Sequence, residues 1–225
     1  SLEEIAVVSD IVPALKSNTS SSEGVVVTGT ETIPNGLIAH CYTTDSSGNS
    51  YSYVKSELIS SVDIDNTAFN ALFNSGGQDY AALDIVGYLN ITTAGNYSFY
   101  TKVDDRISLI IDDEPVAYRT SATGNSWVDM SKDSGTTSDA TPTYLSQGYH
   151  KIRVRMWELN SSAFIHLAMA SGGTGVGNIR DSDIISSSSF VPYLKGDYYK
   201  AFDKQALLTI SPDKLDWGSL RGYNS

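Results

Sequence analysis

The feature that most constrains this chain is a side-chain period of two, repeated in short runs that turn residues cut at both ends. Tyr97, Phe99, Thr101 and Val103 alternate with Ser98, Tyr100 and Lys102. Ile107, Leu109 and Ile111 alternate with Ser108 and Ile110, and Ile152, Val154 and Met156 alternate with Lys151, Arg153 and Arg155. Residues 164–169 form another strand-like run, and residues 24–28 are rich in β-branched side chains. Successive side chains of a strand point to opposite faces, so each run can bury one face and leave the other polar. Clusters of Gly, Asn, Asp, Ser and Thr separate the runs. That pattern predicts an all-β fold, a β-sandwich or barrel.

Composition removes several function classes. The 225 residues carry 15 Lys plus Arg against 26 Asp plus Glu, a net charge of −11. Neutralising phosphates needs clustered Lys and Arg, so neither a nucleic-acid partner nor an anionic membrane is expected. No apolar run approaches the roughly 18 residues that cross a bilayer, so no membrane insertion is expected. The single cysteine, Cys41, excludes an internal disulfide and reads as a small buried hydrophobe within the apolar run 37–42. His40, His150 and His166 do not pair at zinc-ligand spacing. Gly-x-Ser-x-Gly, His-Glu-x-x-His and a Walker-type Gly-Lys-Ser are all missing, and the chain is not expected to be an enzyme.

At roughly 150 residues per domain, the length suits one large domain with extensions. In residues 2–16, Leu2, Ile5, Ala6 and Ser9 share one helical face until Pro13 interrupts it. A Ser/Thr/Asn linker follows, so residues 1–23 are expected as an N-terminal helix and linker, and 24–170 as the sandwich. The first residues lack the order of a signal peptide and read as a cut from a longer chain or a mature end. Residues 171–225 form a C-terminal extension placed to pack back on the sandwich. It opens on the glycine-rich stretch 172–177 and includes Tyr193, Tyr198 and Trp217. Residues 119–143 are a long polar stretch, and loops of that length in compact domains tend to be functional or disordered.

The carboxylates are the chemically suggestive residues. Asp112-Asp113-Glu114 precedes Pro115 and reads as a solvated hairpin turn. Asp104-Asp105 ends one strand-like run. Adjacent strand residues face opposite ways, so both carboxylates serve one ion only if the backbone departs from that rule, for instance through a cis peptide. Calcium tolerates irregular sets of six to eight oxygen ligands. On spacing alone, a metal site and a solvated pair both stay open.

Three stretches together resemble a known family. The first is Gly87-Tyr88-Leu89 followed by Gly95-Asn96-Tyr97-Ser98-Phe99-Tyr100. The second is Val103-Asp104-Asp105-Arg106 leading into Ile107-Ser108-Leu109-Ile110-Ile111-Asp112. The third is Tyr144-Leu145-Ser146-Gln147-Gly148-Tyr149-His150-Lys151-Ile152-Arg153-Val154. With an opening strand at 36–42, Trp127 after the Ile-Asp turn, and a closing hairpin of Trp157, 158–163 and 164–169, the text over 36–170 resembles the PA-fourteen, or protective-antigen-type, module. The resemblance implies a β-sandwich of the kind found in bacterial adhesins, yeast flocculins, toxins and glycosidases. In the lectin branch it implies a cis-linked Asp pair that binds calcium, completed by the loop before the last long strand.

Carried over by position, the expected calcium (Ca2+) ligands are Asp104, Asp105, Glu158, Asn160 and Ser162. The expected sugar-contacting residues are Asp104, Asp105, Arg106, Trp127, Trp157 and Ser161. Arg106 is expected to pair with a carboxylate such as Asp84 or Glu158, or else to weaken the metal site. The implied function is calcium-dependent carbohydrate binding by a module of an extracellular cell-surface adhesin. Its partners are surface glycans or simple sugars and the neighbouring domains of the adhesin. A single cysteine and Asn-x-Ser/Thr triplets at Asn18, Asn90, Asn96 and Asn160 favour a bacterial over a fungal source. The alternative is a structural or protein-recognition module on the same fold. A glycosidase pairing Asp104/Asp105 with Asp112/Asp113 is the remaining reading.

Overall fold

The computed structural model describes residues 33–47, 50–130 and 142–194. The expected N-terminal helix, its linker and the run 24–28 lie outside these residues, as do 131–141 of the long polar stretch and 195–225 of the extension. The described chain is an all-β sandwich. Its elements are β1 (Leu37–Thr44), β2 (Tyr51–Ile59), β3 (Asp63–Ile64), α1 (Asn66–Leu72), β4 (Ala81–Ile91), β5 (Gly95–Asp104), β6 (Arg106–Ile111), β7 (Glu114–Arg119), β8 (Val128–Asp129), β9 (Thr143–Leu145), β10 (Gly148–Glu158), β11 (Phe164–Ser171) and β12 (Phe190–Val191). One sheet runs β2-β1-β4-β10-β6-β7 with β12 beside β4. The other runs β3-β11-β5-β8 with β9 on β5.

Period two decides which side chains meet between the sheets. Leu83, Ile85 and Leu89 of β4, Ile107 and Leu109 of β6, and Val154 and Met156 of β10 share one cluster with Phe99 and Val103 of β5 and Ile165 and Leu167 of β11. Cys41 is buried with them, and burial pushes its thiol up to about 12, which keeps it unreactive. The other face of the larger sheet is also buried and mixes apolar residues such as Tyr42, Ala82 and Trp157 with polar ones. Register aligns His40, Asp84 and Arg155 across three strands. Burial pushes the Asp84 carboxyl up, but the Arg153 guanidinium outweighs it, with Arg155 and His40 adding, and holds the group below its ordinary value. Arg153 donates through Nε to Asp84 Oδ1 at 2.7 Å.

One α-helix is present among the described residues, and the sequence reading did not anticipate it. Asp65 caps α1 by accepting the Ala68 N–H at 2.8 Å, and Phe69 and Leu72 bury its apolar side. Residues 172–191 lie against the sandwich. Ile179 packs with Tyr100 and Ala168, and the Tyr100 hydroxyl donates to the Thr174 carbonyl. Ile184 bridges Ala168 of β11, and β12 then pairs Leu89 and Tyr88 of β4 in the opposite sheet. The returning segment therefore ties the two sheets together.

Gly87 sits where β12 meets β4. A Cβ there would lie 2.5 Å from a Leu37 methyl and 2.8 Å from the Val191 carbonyl oxygen. Gly87→Ala is expected to lower stability by about 1–3 kcal/mol through overpacking against backbone. A urea midpoint equal to that of the wild type would disprove the tight junction.

Candidate functional site

Two crossovers between the sheets build the site. β5 belongs to the smaller sheet and β6 to the larger, and Asp105 alone separates them. The Asp104–Asp105 peptide bond is cis. β10 belongs to the larger sheet and β11 to the smaller, and residues 159–163 join them. β10 pairs β6 through Trp157–Arg106, while β11 pairs β5 through Phe164–Asp104. The two corners must therefore lie side by side. Backbone bonds lock them: the Asp105 N–H donates to the Trp157 carbonyl at 3.2 Å, and the Leu159 N–H donates to Asp105 Oδ2 at 2.7 Å.

A third segment closes the corner, and α1 positions it. The Gln78 N–H donates to Asn70 Oδ1 at 2.9 Å, and the Ala163 N–H donates to Asn66 Oδ1 at 3.0 Å. Next along the chain, Asp79 Oδ1 accepts the Ser161 N–H at 3.1 Å, and the Tyr80 N–H donates to the Leu159 carbonyl at 3.1 Å. Asp79 is the acidic residue that sequence reasoning missed. It lies 25 residues before Asp104 in a turn-like Gly-Gly-Gln-Asp stretch that carries no motif.

Carboxylate oxygens of Asp104, Asp105 and Glu158 all lie within 4.8 Å of one another. Glu158 is 0% exposed, and neither of its oxygens has a hydrogen-bond partner among the described residues. Burial, then the charges of Asp105, Asp104 and Asp79, push its carboxyl up to about 9. Burial and Asp105 push Asp104 up to about 6. A buried carboxylate without a donor is costly unless something offsets its charge. An all-oxygen, acidic set of this kind suits a hard divalent cation such as calcium. The residues present fit that ion.

The other expected site residues are distributed as follows. Asn160, Ser161 and Ser162 lie on the 159–163 loop with exposed side chains, and Ser161 has a positive φ of 85°. Arg106 lies over the Trp157 ring, 4.5 Å from its centroid. Trp157 itself is 5% exposed, clustered with Tyr42 and Ala82, and its indole N–H donates to Thr44 Oγ1 at 3.2 Å. The two-faced burial of the larger sheet takes that ring inside. The Asp84 carboxylate, one partner expected for Arg106, is engaged by Arg153 instead. Trp127 clusters with Tyr100 and Ile179, and its indole N–H donates to Asp181 Oδ1 at 3.0 Å. Lys102 lies over the Trp127 ring and bonds the same Asp181. Lys102 and Asp104 share one face of β5 by alternation, so Trp127 is held one step along that face from the acidic corner.

Asp112 and Asp113, both at positive φ, form the turn at the far end of β6. Six β6 residues separate them from Asp105, a span of about 20 Å in extended chain. That exceeds the carboxylate spacing of roughly 5–10 Å in glycosidases.

The Glu158 shift fixes the sign of a pH effect. Its carboxyl, ordinarily near 4.5, is pushed up to about 9 in the folded chain. Between these values the folded state binds more protons than the unfolded state, so stability falls as pH rises through that window. In chelator, Tm is expected to drop between pH 6.5 and 9 more steeply than in Glu158→Gln. Calcium, which favours the deprotonated cluster, is expected to remove the difference. Parallel Tm profiles for the two proteins in chelator would contradict the assignment.

Comparison with known proteins follows the same lines. A family model described as the PA14 domain matches residues 34–183. Among solved structures, an anti-sigma factor domain-containing protein is 18% identical at a TM-score of 0.51, covering 70% of this chain and 47% of that one. This chain thus spans about half of that protein's length. A PA14 sugar-binding domain from an RTX adhesin is 16% identical at a TM-score of 0.49, covering 72% and 99% of the two chains. The epithelial adhesin 9 A domain from Candida glabrata, solved with Galb1-4GlcNAc, is 14% identical at 0.48, covering 74% and 93%. No curated protein matches the chain. Because the family model spans more than half of the sequence, including both crossover corners, the chain belongs to the PA14 domain family.

Proposed function

We propose that this chain is a calcium-dependent carbohydrate-binding module of an extracellular surface adhesin, acting without catalysis. The observation that carries the reading is Glu158, a fully buried carboxylate with no hydrogen-bond donor among the described residues, facing Asp104 and Asp105. In this reading Asp104, Asp105 and Glu158 hold the ion, and Asn160 and Ser162 of the adjoining loop add oxygens. Bound calcium supplies open coordination positions that a vicinal diol fills in place of water. The carboxylate oxygens left over accept charge-assisted hydrogen bonds from neighbouring hydroxyls. Arg106 and Ser161 border the same corner and add donors. Trp127, held by Asp181 and Lys102, adds a wall. The names of the adhesin domains compared above, one a sugar-binding domain and one a complex with Galb1-4GlcNAc, agree with this reading.

We place the binding unit in the sandwich at 24–170 together with the part of 171–225 that returns to it. A single exposed site of this type binds at about mM affinity. Adhesion then rests on repeated copies, through effective concentration.

Calorimetric titration of a pyranoside panel in calcium and in excess chelator tests the function. Heat in calcium alone is expected. Equal heat in chelator would overturn the metal-dependent reading, and silence in both would favour the structural or protein-recognition module. Asp105→Asn keeps an acceptor for the Leu159 N–H while removing a charge. It is expected to weaken calcium binding at least about tenfold, a loss of about 1.4 kcal/mol, with an unchanged all-β circular dichroism spectrum. Undiminished calcium affinity in that variant would put the ion elsewhere.

A further inference from the structure

Four large apolar side chains are exposed among the described residues: Val54, Tyr80, Tyr144 and Tyr149. Tyr144 pairs Asn96 near the start of β5, and Tyr149 lies at the start of β10, so both sit at the end away from Asp104 and Glu158. Val54 lies within the edge strand β2. Tyr80 is the one built into the acidic corner.

Its backbone is held on both sides. The Tyr80 N–H donates to the Leu159 carbonyl at 3.1 Å, and its carbonyl accepts the Thr44 N–H at 2.6 Å. Leu159 in turn donates its own N–H to Asp105 Oδ2. Asp79, the residue before, holds the Ser161 N–H and adds its charge to Glu158. Tyr80 is therefore linked to the Asp105 carboxylate through a single intervening residue. It takes φ 52°, a left-handed conformation uncommon for a bulky side chain. It precedes Ala81, the first residue of β4, and so stands outside the alternation that sends Leu83 and Ile85 into the core. The side chain stays 38% exposed.

The corner otherwise offers carboxylates, exposed Asn and Ser side chains and a guanidinium, with Trp127 standing to one side, its ring packed with Tyr100 and Ile179 and its N–H on Asp181. A pyranoside that gives its hydroxyls to such a cluster still carries an apolar C–H face, and an aromatic ring is the surface suited to cover it. Trp157 is buried beneath Arg106 and does not supply that surface.

We infer that Tyr80 is the stacking platform of the site, covering the C–H face of a pyranoside whose hydroxyls engage the acidic cluster. This rests on the carbohydrate reading above and narrows its ligand class to closed sugar rings over open-chain polyols.

The test uses the full chain in calcium and the pyranoside of the panel that gives the largest heat. Tyr80→Ala is expected to weaken that sugar by about 3–10-fold, the range of one aromatic contact. Tyr80→Phe is expected to bind like the wild type. The calcium isotherm and the affinity for an open-chain polyol are expected to stay unchanged. Tyr80→Asn removes the ring with a residue that accepts positive φ, which guards against a folding defect in the alanine variant. In saturation-transfer difference spectra, the ring C–H signals of the sugar are expected to fall in both variants. Undiminished pyranoside affinity in Tyr80→Ala and Tyr80→Asn would overturn the platform while leaving the carbohydrate reading intact. A wild type that binds no pyranoside in calcium would overturn both. An equal loss for the polyol would show that the substitutions disturb the acidic cluster, and would also overturn the platform.

Discussion

Three carboxylates brought within 4.8 Å of one another are the constraint on which the functional end of this molecule depends. Two such charges about 5 Å apart repel by about 3 kcal/mol at an effective dielectric near 20. The fold concentrates them with little relief, because among the described residues Glu158 has neither exposed surface nor a donor. The surrounding backbone is organised to hold the arrangement. Leu159 donates to Asp105, Ser161 donates to Asp79, and α1 asparagines fix the flanking segments at Gln78 and Ala163. These bonds set the side chains in place but leave the Glu158 carboxyl without a partner among the described residues, and its proton is retained up to about pH 9.

The sandwich architecture explains why this corner exists. Each sheet crossover places a short segment at the sandwich end, and antiparallel pairing forces two of them into contact. β10 beside β6 and β11 beside β5 bring Glu158 against Asp104 and Asp105, although more than 50 residues of sequence lie between. The returning segment serves the same end. It ties Ala168 of one sheet to Leu89 of the other, and its Asp181 gathers Lys102 and Trp127 on the face that leads to Asp104.

The larger sheet departs from the usual division into an apolar and a wet face. Both of its faces are buried over much of its area, so its second face carries an ion-paired network of Asp84, Arg153 and Arg155, with His40 beside it bonded to Ser56. Breaking one partner of such a network costs about 3–5 kcal/mol, because the remaining charge is left buried. Trp157 is drawn into this layer, which is why a tryptophan beside the site does not present an open ring.

Local chemistry made part of this legible in advance. Strand periodicity exposed the all-β class, because an amphipathic strand must alternate wherever it occurs. The Asp104-Asp105 pair stood out as adjacent carboxylates ending a strand-like run, but its reading as an ion site, and Glu158 with it, came from the family resemblance. The turn at Asp112-Asp113 was equally readable, since it depends on its own residues alone. Asp79, Tyr80 and the burial of Trp157 were not readable. Each depends on which segment the register sets beside the acidic corner, and register is a property of paired strands distant in sequence. The sequence by itself determined the fold class and the two charges of the adjacent pair, through interactions spanning a few residues. Only the tertiary structure decided what faces that pair, which aromatic stays exposed and which carboxylate goes without a donor, because long-range pairing and burial set all three.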